Sequence, residues 1–484
     1  MFRTSLCAAG LLIAAPAAAQ DADVATLTRL VQEQAARIER LEARLAAVEG
    51  TATTPVADPV PSQTAQTAPP PRTPAPLGQS LPSDAHPPSL EARMARIERA
   101  QRENAHVDWS KGTPEFVSAD GNLSFRPRGR ILIDAGTTTG SDVAGRNVTA
   151  TQARSLRLGI EGTFGKHLSY LIEGDFADNE VAIKSAYLAW TTGFLGQQAE
   201  FALGNRLNDR GLDGSSGTIA VPFLERNVVG AAIIPARGFF GLGAAARIYG
   251  KGWHVGVQVS GDDIANPGTA GDGMTIGARA HWNPVRTDDW LVHLGLWGFH
   301  ERLAEDVKRA TRSIAVGGFY NDNLRIAPGS FADPVSGDGY GVELGTFHHS
   351  LWAYAEAGTR RLANRAGDTA RHHAWAVQGG WFLTGETPPY LTRGGVWSRP
   401  KVLRPFTSGG SGAVELAARY EELDYSDDPT AGRGTALTLG VNWYLNNFVR
   451  LQLNAIDWTL ANPVAGGMIG DHGRSLIGRA QIAF

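Results

Sequence analysis

Arginines recur at alternate-residue positions in several short stretches of this 484-residue chain. Arg157, Arg247, Arg279, Arg419, Arg450 and Arg479 each lie between neighbours that are small or apolar, so the charge falls on one parity. The chain carries 39 Arg against six Lys. A guanidinium stays charged at any physiological pH and grips an oxyanion with two parallel N–H donors. Several on one wall would make a path for anions. Glu161, Glu173, Asp175, Glu415 and Glu421 fall on the same side. Opposed acids and bases give a transverse field with little net selectivity, so the residues alone leave an anion path and a mixed field both open.

Other chemistry has less to build on. His348-His349 and His372-His373 are adjacent pairs, and adjacent side chains on a strand point to opposite faces, which suits loops or rims better than a metal site. Asp262-Asp263 and Asp427-Asp428 read as surface turns. Serine and histidine are plentiful, but no spacing singles out a catalytic pair. No enzyme activity, cofactor or metal is expected. The sole cysteine is Cys7, so cysteine chemistry has no place beyond the N-terminal leader.

The positioning elements are strands. Trp253, Val255, Val257 and Val259 alternate with His254, Gly256, Gln258 and Ser260. The same period-two pattern runs through Ser155–Glu161, Met274–Trp282, Leu437–Leu445 and Val449–Ala455, separated by Gly, Asp, Asn and Pro clusters. Segments of about nine to eleven residues match tilted membrane-spanning strands. Trp190, Trp253, Trp282, Trp290, Trp443 and Trp458 collect at strand ends, as an interfacial girdle requires. An arginine on such a strand must face water, because the lipid face costs about 2–4 kcal/mol at mid-depth. Roughly 22 residues per strand and connection gives about sixteen strands, wide enough for an aqueous lumen. The expected fold class is therefore all-β, a transmembrane antiparallel β-barrel preceded by a short N-terminal coiled coil.

Composition agrees. A formal charge of -3 excludes a strongly basic nucleic-acid binder, and no nucleic acid is expected as a partner. The mean hydropathy of -0.18 averages two opposed faces, and 58 glycines suit twisted, closely approaching strands. The last strand sets Leu476, Gly478, Ala480, Ile482 and Phe484 on one side, and a terminal aromatic there resembles the signal read by the barrel assembly machinery.

Residues 1–19 read as a signal peptide, with Arg3, an apolar centre and Ala17-Ala18-Ala19 before Gln20. Residues 20–50 form a coiled-coil segment: Val24, Leu27, Val31, Gln34, Ile38, Leu41, Leu45 and Val48 follow 3-4 spacing. Residues 51–112 are a spacer with a short helix at Ser89–Asn104; eleven of the 26 prolines lie in its first part, which cannot bury a core. Residues 113–484 are the barrel domain.

Specific strings then resemble one family. Gly380–Glu386 with Tyr390, Ala413–Tyr420 with Leu423-Asp424, and Leu439–Asn446 are similar in order and spacing to segments of the phosphate-selective porin O/P family. Leu203–Arg206 through Ser215-Ser216 to Phe223–Arg226 resembles its strand and constriction loop. The resemblance covers about 375–460 closely and extends back to about 120. It implies a trimeric sixteen-stranded outer-membrane porin with a loop folded into each lumen and the N-terminal segment in the periplasm. It adds Arg206, Arg210 and Arg226 to the channel-lining candidates. Expected partners are outer-membrane lipid, two further copies of the chain and small anionic solutes. Family relatives place lysines at the constriction, whereas Asn208–Leu224 contains none, so phosphate specificity stays open. A weakly selective porin, a sugar or dicarboxylate channel, and an envelope-tethering barrel are the alternatives.

Overall fold

The computed structural model describes Met94 and residues 105–177, 179–261, 264, 271, 273–465 and 467–484. The signal peptide, the heptads, the spacer up to residue 104 and all of its short helix but Met94 lie outside the described residues. The described residues from 105 onward group as one compact unit.

Sixteen antiparallel strands form the barrel wall. They are β1 Leu123–Thr139, β2 Thr149–Phe164, β3 Leu168–Asp175, β4 Ala182–Phe194, β5 Gln197–Leu207, β6 Phe240–Tyr249, β7 Trp253–Ser260 and β8 Met274–Trp282. The second half comprises β9 Trp290–Arg302, β10 Pro334–His348, β11 Leu351–Asn364, β12 Thr369–Phe382, β13 Ala413–Asp424, β14 Arg433–Tyr444, β15 Val449–Val464 and β16 Gly467–Ala483. Each pairs with its sequence neighbours, and β16 pairs with β1 from Arg474↔Thr139 to Ala483↔Arg130. The sheet closes, which leaves no edge in lipid.

Alternation decides the two faces. On β16, Ser475, Ile477, Arg479 and Gln481 are buried, while Leu476 and Ile482 are exposed to the outside. Trp190, Trp282 and Trp290 are about half exposed and outward. Trp458 departs from the expected girdle: Asp457 and Thr459 beside it are exposed, so parity turns Trp458 inward, where it is fully buried.

Alternate connections lie at opposite ends of the barrel. One end has short turns such as 195–196, 250–252 and 349–350, together with one long segment, 383–412. The other end has the long connections 208–239 and 303–333. Residues 105–112, expected as spacer, instead begin a hairpin: His106–Asp108 pairs with Glu115–Val117, which pairs with β1 at Phe116↔Phe125. The hairpin covers the part of the β1 edge that lies past the end of β16.

The lumen is not simply aqueous. Leu224, Val229 and Ile233 of 208–239 pack with Leu324 and Ile326 of 303–333 against Trp297, Trp458, Leu460 and Ile477 of the wall. Leu212, Val221 and Phe223 meet Trp397 and Val402 of 383–412 against Phe347, Trp352 and Tyr444. Burial of side chains this size contributes about 1.5–3 kcal/mol each, which holds all three segments inside the barrel.

Candidate permeation site

Segment 208–239 enters the lumen directly from β5. It turns at Gly211 (φ +57°) into the short helix α1, Leu212–Ser215, and later forms α2, Val228–Ala232, whose first turn is capped by Asn227 Oδ1 accepting from Gly230 N at 2.8 Å. A chain crossing the interior must find partners for its backbone groups. Here the wall supplies donors in a row. Arg450 donates to the carbonyls of Ile219 (3.2 Å) and Val221 (3.0 Å), and Gln481 also reaches Ile219 (3.1 Å). Asn442 donates to Pro222 (2.7 Å), Arg479 to Leu224, and Arg419 to Glu225 (2.9 Å). Asp213, fully buried, accepts from Trp397 Nε1 (2.7 Å), Asn227 N (3.0 Å) and Gln378 Nε2 (3.3 Å), so it ties the segment to 383–412 and to β12.

Beside this strap lies a lumenal cavity of about 660 Å³. Its basic lining is Arg128, Arg130, Arg154, Arg157, Lys184, Arg226, Arg237, Arg312, Arg325, Arg399, Arg419 and Arg479. Its acids are half as many: Asp134, Glu173, Asp175, Glu180, Glu225 and Glu421. Much of the charge is paired. Arg157 holds Glu173 and Asp175 at 2.8 Å each, and Arg154 holds Glu225 at 2.7 Å. Arg479 bridges Asp134 (2.6 Å) and Glu225 (3.0 Å), and Arg419 meets Glu421 at 3.1 Å. Among the described residues, Arg130, Arg226, Arg312 and Arg399 have no carboxylate within 4.0 Å. Arg130 donates to Ser155 Oγ (3.1 Å), Arg226 to the carbonyls of Asp213 and Ser216 (3.0 Å), and Arg399 to that of Ala483 (2.8 Å). Three guanidiniums also converge on the Phe239 ring: Arg210 at 4.9 Å, Arg226 at 5.0 Å and Arg312 at 5.7 Å from its centre. An aromatic face disperses crowded positive charge where carboxylates are absent.

Within segment 208–239, burial raises the Glu225 carboxyl, but Arg154 and Arg479 outweigh it and hold the group at about 2. Burial, with Arg226 alongside, draws Arg210 down to about 9, still charged at physiological pH.

The structure separates the sequence candidates into groups. Arg157, Arg226, Arg419, Glu173 and Asp175 line the cavity. Arg210 is itself part of the strap, buried and donating within it to Gly230 O at 3.0 Å, and Arg450 is spent on strap carbonyls. Arg206 pairs with Glu200 (2.7 Å), and Arg247 with Asp209 (3.0 Å). Arg279 is buried against Glu343 (2.8 Å) and donates to the carbonyls of Gly394 and Gly395 in 383–412. Glu161 sits toward the turn end with Arg126 and Arg128. Glu415 accepts from Trp352, Asn442 and Tyr444 at 2.8–2.9 Å. His372 faces inward and His373 outward, as strand parity requires. No group of residues suited to a metal occurs among the described residues. Sequence reasoning missed Arg130, Arg312, Arg399 and Phe239. Arg130 lies on β1 in step with buried Leu132 and Asp134, between outward Ile131 and Ile133, so its parity could have found it. The other three lie at or beyond strand ends, where no alternation marks them, and only the folding-in of long segments assembles them.

A sixteen-stranded barrel narrowed by a loop held within its lumen is the architecture of an outer-membrane porin. The family profile described as Phosphate-selective porin O and P matches residues 125–464, and the chain belongs to that family. An uncharacterized protein of Caulobacter vibrioides is 29% identical over 467 residues, covering 92% of this chain and 87% of that one. Among solved structures, the anion-selective porin of Comamonas acidovorans is 15% identical (75% of this chain, 100% of that chain, TM-score 0.46). OmpT of Vibrio cholerae is 12% identical (75% and 98%, TM-score 0.47). The protein is a channel of the bacterial outer membrane that passes small solutes.

Proposed function

We propose that this porin favours small anions, oxyanions among them, with the strap and its neighbouring arginines as the selective zone. The observation that carries this reading is the lining itself. Twelve cations face six acids, and Arg130, Arg226, Arg312 and Arg399 lack a carboxylate within 4.0 Å among the described residues. In a narrow, partly desolvated passage unpaired guanidiniums concentrate counter-ions and exclude cations. Their bidentate geometry suits phosphate, sulfate and carboxylate alike, and with no lysine in 208–239 the reading is anion preference in general.

The reading extends to orientation and assembly. The end carrying 208–239 and 303–333 faces outside, and the end with mostly short turns, residue 105 and Phe484 faces the periplasm, following the usual asymmetry of such barrels. The chain assembles as a homotrimer, with its heptads associating on the periplasmic side, and Phe484 is presented to the assembly machinery.

The test is a reconstituted channel in a planar bilayer under a salt gradient. The expected result is an anion-directed reversal potential that falls toward zero in Arg226→Gln/Arg312→Gln, with sub-millimolar phosphate reducing chloride current in the parent. A cation-directed potential in the parent would refute the proposal, and absence of conductance would favour the tethering alternative.

A further inference from the structure

On β11 and β12, Arg361 and Arg371 stand directly opposite each other in the ladder. Both face away from the lumen and are exposed, since their strand neighbours Arg360, Leu362, Ala370 and His372 are buried inside. Like charges at directly opposed positions repel. Nevertheless neither guanidinium has an ion-pair partner among the described residues. The nearby acids are committed elsewhere: Asp338, opposite Arg361 on β10, pairs with His300 at 2.7 Å, and Asp424 accepts from Ser426. Asp427 accepts from the Arg371 backbone N–H.

Depth gives the pair a setting. Trp381, outward and half exposed, lies ten residues along β12 from Arg371. A strand rising ~3.4 Å per residue at a tilt of ~40° climbs about 26 Å over that distance, close to the ~25 Å apolar band of such barrels. Arg361 and Arg371 therefore sit at the far membrane boundary, while Trp375, four residues further along β12, and Tyr420, opposite Val377, lie about 10–16 Å deeper in the apolar band with their rings 5.3 Å apart.

We propose that Arg361 and Arg371 form a surface site for the phosphate of an anionic outer-leaflet glycolipid, whose acyl chains run down the wall over Trp375 and Tyr420. Two opposed guanidiniums offer parallel N–H forks, and a phosphate between them removes the repulsion. The site depends on the orientation proposed above and not on which solute the lumen passes.

The full-length protein in detergent is incubated with bis-phosphorylated lipid A or with the dephosphorylated lipid, and retained lipid is counted by native mass spectrometry. The parent is expected to retain the phosphorylated form at least fivefold better, undisturbed by millimolar inorganic phosphate. Arg361→Gln/Arg371→Gln should abolish the preference while leaving conductance unchanged, and Arg361→Lys/Arg371→Lys should restore part of it. Equal retention by parent and Gln variant overturns the site, as does a Gln variant that loses its oligomeric state with lipid binding intact, because the face would then be a contact between copies. Maleimide labelling of Ala366→Cys in intact cells checks orientation separately. A labelled residue 366 with no lipid preference refutes the site alone, whereas an inaccessible one refutes the orientation.

Discussion

Asp213 concentrates three donors on one buried carboxylate, and charge-assisted bonds of this kind contribute about 1.5–3 kcal/mol each when a partner is removed. Asp213→Ala should leave Trp397 Nε1 and Gln378 Nε2 unpartnered in the interior. Its expected signature is a strap that fluctuates, read as increased open-channel current noise, with a wall still resistant to protease. Gly211 makes a second point. Its positive φ disfavours any side chain, and an added Cβ would fall on the Glu356 carboxylate. Gly211→Ala should therefore lower the folded yield or alter conductance, whereas the same change at Gly193, where a Cβ meets open space, should do neither. Glu225 gives a pH window. Its folded value of about 2 lies below the ordinary carboxylate value, so its stabilising contribution is complete above about 4.5 and is lost as pH falls toward 2. Strap noise should rise between pH 4.5 and 2 in the parent, and Glu225→Gln should show the noise already at pH 7.

At the scale of elements, the wall was legible because period-two alternation survives in nearly every strand. The stretches around Leu156, Val255, Ile276, Leu439 and Leu453 became wall strands with the expected residues outward. Trp458 was legible in principle: continuing the parity of Leu451, Leu453 and Ala455 sets Asp457 outside and Trp458 inside. The lumenal site was less legible, because only part of its charge, such as Arg130, Arg157 and Arg419, comes from strands, whereas the unpaired Arg226, Arg312 and Arg399 come from connections whose local sequence carries no period. Candidates read from strands, such as Arg450 and Arg479, do face inward, yet they grip backbone carbonyls of 208–239. A wall donor and a pore charge have the same sequence signature, and only the contact made by the guanidinium distinguishes them. The segment 383–412 is the clearest case. Its motif residues announced a relative, but nothing in them announced that Gly394 and Gly395 would dock on Arg279 inside the barrel. Replacing 386–410 by a short Gly/Ser turn should remove this inner packing and raise single-channel conductance; unchanged conductance would mean that the segment does not narrow the path.

For the whole molecule, near-neutral composition hides a local asymmetry, with bases outnumbering acids two to one around the cavity in a chain of net charge -3. Global charge therefore says little about what such a barrel passes. The N-terminal heptads offer a test of assembly. Deleting residues 20–112 while keeping the leader should lower the temperature at which the oligomer dissociates on semi-native gels, and a trimer of unchanged heat stability would remove the stapling role. The seam between β16 and β1 carries a consequence of a different kind. Arg479 and Asp134, which meet across it, are 345 positions apart. Contacts so remote in sequence form late, after most of the entropy of ordering the chain has been lost. Until they form, both terminal strands present bare backbone, and an open sheet of this size is an invitation to aggregate. For this protein the hazardous part of its existence is the passage before the ring shuts, and its abundance in the cell should depend more on escort during that interval than on the strength of any contact in the finished barrel.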